Sequence, residues 1–109
     1  MSISHLISYF FGGAFLMNAV PHVVSGVMGK PFQTPFARPP GEGHSSSTTN
    51  VVWGFFNLFI AYLLLVHVGG FALDDVGDAA VASVGAFLLA VMMAWHFGRF
   101  NGGNTPSRP

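Results

Sequence analysis

Residues 51–73 read VVWGFFNLFIAYLLLVHVGGFAL, an unbroken run without Asp, Glu, Lys or Arg. A bilayer hydrocarbon core about 30 Å thick is crossed by roughly 20 helical residues, so this run is long enough to span. Working outward, Leu6–Met28 and Ala79–Phe100 have the same character, and only the second carries a charge, Arg99, at its edge. Backbone groups in lipid must pair within their own segment, which makes each run a helix and accommodates Pro21 and the internal glycines. The expected fold is all-α: one transmembrane domain over residues 1–109, with helices over 6–28, 51–73 and 79–100, a connector over 29–50 and a disordered tail over 101–109.

Composition supports lipid as the solvent for much of the surface. Of 109 residues, 51% are hydrophobic and 7% charged, whereas a soluble domain carries about a quarter charged residues. Four basic and four acidic side chains cannot clothe a small body in water. Clustered Lys and Arg for phosphate binding are missing, which sets nucleic acid aside as a partner. Cysteine is absent, so disulfides and thiolate chemistry are excluded. No Lys or Arg precedes the first apolar run, so that run reads as a retained helix and not a cleaved signal.

Three crossings put Lys30, Arg38, Arg99 and Arg108 on one side and Asp74, Asp75 and Asp78 on the other. The positive-inside rule then makes the connector and the C-terminus cytoplasmic and the N-terminus external. Trp53, Trp95 and Tyr9 fall near span ends, where interfacial belts form. Asp78 is the expected cap of the third helix, and Thr49 or Asn50 that of the second.

Helices solvated by lipid associate through small residues and polar pairs. The third span carries Ala82, Ala86, Ala90, Ala94 and Gly98 at four-residue intervals, an expected packing ridge. The first carries Ala14, Asn18, His22 and Gly26 at the same interval, with Pro21 introducing a kink near His22. On the second, Asn50, Trp53, Gly54, Asn57 and Ala61 share a face. His22 and Asn57 lie at matching depth, which predicts a polar seam made by His22 and Asn57 and extended toward the midplane by Asn18.

The connector, GKPFQTPFARPPGEGHSSSTTN over residues 29–50, is too rich in proline for a helix. Phe32 and Phe36 are expected to sit in the membrane interface or against the helix ends, with the Pro-Phe portion along the membrane surface and 41–49 mobile.

Asn18, the Pro21-His22 step, Gly26, Gly29, Pro31-Phe32 repeated as Pro35-Phe36, Gly41-Glu42-Gly43, and the stretch from Asn50 to Asn57 with Trp53-Gly54 form a pattern over about residues 12–62. This pattern resembles small, uncharacterised multi-pass proteins of bacterial inner membranes. The resemblance implies that location and brings no activity, cofactor or catalytic residue with it.

No catalytic signature stands out. Ser83, His67 and Asp74 have no nucleophile-elbow spacing, and no Asp or Glu lies within a span to carry protons. His22, His44 and His96 with Glu42, or His5 with His67, would make incomplete metal sites. A bis-histidine haem b would use His22 and His96, although a helical projection turns His96 away from the alanine ridge. The expectation is therefore a non-catalytic accessory or interaction subunit, with no cofactor, whose partners are the lipid bilayer and other membrane subunits or further copies of itself. The alternatives are a histidine-ligated haem or redox protein and a small homo-oligomeric channel or transporter.

Overall fold

The computed structural model describes residues 1–107, so Arg108 lies outside the described residues. Three helices dominate: α1 (Ile3–Val27), α2 (Ser47–Tyr62), extended by a π-helical turn over Leu63–His67, and α3 (Val76–Asn101). All three are long and apolar enough to cross a membrane, and the chain is an all-α bundle. In the connector, β1 (Phe32–Gln33) pairs antiparallel with β2 (His44–Ser45), setting Phe32 opposite Ser45 and Gln33 opposite His44.

Each helix begins three or four residues before its apolar run, because a polar side chain in extended backbone caps it there. Ser2 Oγ accepts from the His5 amide at 3.2 Å, Ser46 Oγ from the Thr49 amide at 3.1 Å, and Asp75 Oδ1 from the Asp78 amide at 2.9 Å. These bonds satisfy amides that the first turn leaves without intrahelical partners. Ser46 and Asp75 thus replace the expected caps Thr49 or Asn50 and Asp78. Asp78 instead accepts from the Ala72 amide at 3.1 Å and braces the turn between α2 and α3. α1 runs through Pro21 as one helix.

α1 is the central helix. It packs along both α2 and α3, while those two scarcely touch. The result is an open layer of three helices with α1 in the middle. Small residues bring the main chains together on both sides of it. A Cβ added at Gly13 would overlap the Ala82 carbonyl oxygen, and one at Gly85 would overlap that of Phe10. On the other side Gly54 lies against Val23 and Ala19, and Gly26 against Ser47 and Val51.

The ridge on α3 is therefore rotated from the expected one. Gly85 is buried, with Ala82, Ala86 and Ala90 half-buried beside it, whereas Ala94 is exposed. Gly98 is buried by Asn104, whose side chain folds back to donate to the Trp95 carbonyl at 3.0 Å. Tyr9, expected at an interface, is 2% exposed and donates to the Gly69 carbonyl at 2.7 Å. Lys30, Arg38 and Arg99 gather at the connector end of the layer and the three aspartates at the opposite end.

Candidate functional site

The connector end holds the densest polar cluster of the molecule, built around Asn50. This residue is fully buried. Its Nδ2 donates to the carbonyls of Phe32 (3.2 Å), Ser45 (3.2 Å) and Ser46 (3.0 Å). An amide nitrogen held by three acceptors cannot be exchanged with the oxygen, so Oδ1 is the atom that faces His22 Nδ1 at 2.7 Å. That oxygen only accepts. His22 therefore carries its proton on Nδ1, and its Nε2 is a bare lone pair.

The same reasoning fixes the second pair. Asn57 Nδ2 donates to the Trp53 carbonyl at 2.8 Å, which leaves Asn57 Oδ1 to accept from Asn18 Nδ2 at 2.9 Å. The polar seam between α1 and α2 is thus two pairs, His22 with Asn50 and Asn18 with Asn57. His22 does not meet Asn57 as the matched depths suggested, because Asn50, two turns nearer the connector on the same face, takes its nitrogen. That seven-residue spacing is the signal by which Asn50 belongs to the seam.

Above this seam the connector is folded down as a cap. Gln33 and Thr34 are each 1% exposed. Gln33 exchanges two hydrogen bonds with Asn101 on α3, Nε2 to Oδ1 at 2.9 Å and Oε1 from Nδ2 at 3.2 Å. The hydroxyls of Thr34 and Ser45 pair across the short ladder. Of the two placements expected for the aromatics, Phe32 takes the one against the helix ends: its ring meets His22 and Phe97 edge-on, with centroids 5.5 and 4.8 Å away. Phe36 is the outward aromatic, 63% exposed, with its ring centroid 4.9 Å from that of Trp53. The segment 41–49, expected to be mobile, contains β2, the Ser46 cap and the first turn of α2.

His96 also turns inward, against the expectation from the alanine ridge. Rotation of α3 onto Gly85 brings Leu89 and His96 to the same side as the cap. Arg99 Nη2 donates to His96 Nδ1 at 2.8 Å, so Nε2 carries the proton and donates to the Gly41 carbonyl at 2.8 Å. Both ring nitrogens are occupied. His22 and His96 do line one cleft, and His96 would have to give up a hydrogen bond at whichever ring nitrogen ligated iron. Among the described residues no three His, Asp or Glu side chains gather where they could hold a metal ion.

The cleft has a volume of about 290 Å³, and its walls include Asn18, His22, Thr34, Trp53, His96 and Phe97. Gln33, Asn101 and Gly41 build it too; Gln33 and Asn101 did not stand out in the sequence, since they pair across 68 positions. Trp53 Nε1 is sealed from solvent and has no hydrogen-bond partner. Among the described residues no carboxylate lines the cleft, which offers hydrogen-bonding groups and aromatic walls. No family model, curated protein or solved structure matches this chain.

Proposed function

We propose that the chain is a non-catalytic accessory protein of a bacterial inner membrane, which packs as a small subunit against a larger membrane assembly. The observation that supports this reading is the one-sided attachment of α3. Among the helices it packs extensively along α1 only, and 6% of its apolar window is buried within the molecule. Phe87, Leu88, Val91 and Trp95 are exposed, and Ala94 between them leaves room for close approach of another helix. The buried polar groups, by contrast, are largely spent on one another, which leaves little for catalysis. The gathering of Lys30, Arg38 and Arg99 at the connector end favours a cytoplasmic connector.

Mild extraction from native membranes followed by affinity purification tests the proposal directly. The expected result is one set of larger membrane proteins recovered in fixed ratio with the chain, and lost when Ala94→Leu or Leu88→Trp alters the outer flank of α3. Recovery of the chain alone from several mild detergents would overturn it.

A further inference from the structure

Three donors of the cleft are engaged within the protein: Gln33 Nε2 on Asn101, His96 Nε2 on Gly41, and Asn18 Nδ2 on Asn57, and each of the two amide nitrogens keeps a second N–H. The Trp53 indole donor is unpaired but sealed from even a water-sized molecule. Two acceptors remain. His22 Nε2 and Asn18 Oδ1 have no hydrogen bond among the described residues, and unlike the indole nitrogen neither is sealed. With no carboxylate beside them and the Arg99 cation bonded to the cleft's other histidine, they favour a neutral donor. A hydroxyl meets that description and an ammonium does not.

Size and shape narrow the choice. Asn18 and His22 are one turn apart on α1, a rise of about 6 Å, a separation that two para hydroxyls on one six-membered ring can span. Trp53 and Phe97 supply aromatic walls for such a ring. A second, apolar groove of about 250 Å³, lined by Phe11, Ala14, Phe15, Asn18 and Leu89, adjoins the cleft through Asn18. It lies between α1 and α3, on residues near the middle of both helices.

We infer that the cleft binds a membrane hydroquinone, with its ring hydroxyls donating to His22 Nε2 and Asn18 Oδ1 and its apolar tail lying along the Phe11–Leu89 groove. The inference does not depend on the accessory reading, since it concerns the isolated chain in lipid. His22 Nε2 only accepts, so the site favours the reduced ring: a quinone has no proton to give it and loses that bond, while the second N–H of Asn18 Nδ2 is open to either oxidation state.

The test uses the full chain in lipid nanodiscs, labelled with ¹⁵N at its two indoles and kept free of oxygen. Titration with a decyl-tailed hydroquinone is expected to shift the Trp53 indole signal saturably and leave that of Trp95, which is 59% exposed on the outer flank, unmoved. The matching quinone and the hydroquinone dimethyl ether should bind at least about fivefold more weakly, the effect of losing the hydrogen bond to His22 Nε2. Asn18→Leu should weaken the hydroquinone about fivefold, as loss of one such bond does. Equal shifts with quinone, ether and hydroquinone, or no saturable shift at all, would overturn the inference. Equal affinity for the ring without its tail would overturn the membrane source and point to a small free phenol. The ligand comparisons are made on the native chain, so they stand even if Asn18→Leu disturbs the seam.

Discussion

Along the side that α1 turns to α2, Ser8, Asn18 and His22 each reach a hydrogen-bond partner on the neighbouring segment: the Leu64 carbonyl, Asn57 and Asn50. Along the side turned to α3 no side-chain hydrogen bond joins the two helices among the described residues, and the contacts are main chain on main chain at Gly13–Ala82 and Gly85–Phe10. Both solutions answer the same problem. Lipid removes the hydrophobic drive between helices, so association rests on close van der Waals packing or on polar groups that have nowhere better to go. The polar side fixes register and rotation, since each bond admits one partner at one depth. The glycine side tolerates sliding better but tolerates no added atom.

This contrast predicts an order of sensitivities. The largest effect belongs to Gly13→Ala and Gly85→Ala, where a single methyl meets a carbonyl oxygen of the facing backbone. Each should cost about 3 kcal/mol by overpacking and separate α3 from α1. Reversible unfolding in mixed micelles, together with loss of a cysteine cross-link engineered between α1 and α3, would register it. A neutral result at both positions would mean that α3 does not pack here.

Asn50→Leu comes next. It strands the His22 Nδ1 proton and releases three carbonyls of the cap, for about 2 kcal/mol. Chymotrypsin should then cut after Phe32, which the native cap half-buries, faster than in the native chain, and an unchanged cutting rate would show that Asn50 does not hold the cap down. The smallest effect is the coupling of Asn18 to Asn57. A double-mutant cycle to leucine at both positions should return roughly 0.6 kcal/mol, the average for such bonds within membranes, and a coupling indistinguishable from zero would remove this pair from the seam.

The spans were legible because hydropathy alone reports them. Their starts were not, because Ser46, Ser47 and Asp75 read as loop residues by polarity and act as caps or first-turn residues by geometry. The polar residues of the seam could be named in advance, since Asn18, His22 and Asn57 are costly toward lipid. Their pairing could not, because relative depth depends on how the connector folds, and the connector reveals little of that when read as a string of prolines. The rotation of α3 was misread for a related reason. An alanine every fourth residue makes a smooth stripe, but the single glycine at position 85 permits a closer approach than any alanine, and it carried His96 inward.

The pairing of the cap with the far end of α3 bears on how the protein is made. Gln33 and Gly41 leave the ribosome well before Asn101 and His96, which secure them from 68 and 55 positions further on, and chains mature from the N-terminal end. The early two-helix intermediate thus holds its histidine and asparagines under an unlatched flap, and closure waits on the end of α3. Translation itself sets the clock for sealing the cleft.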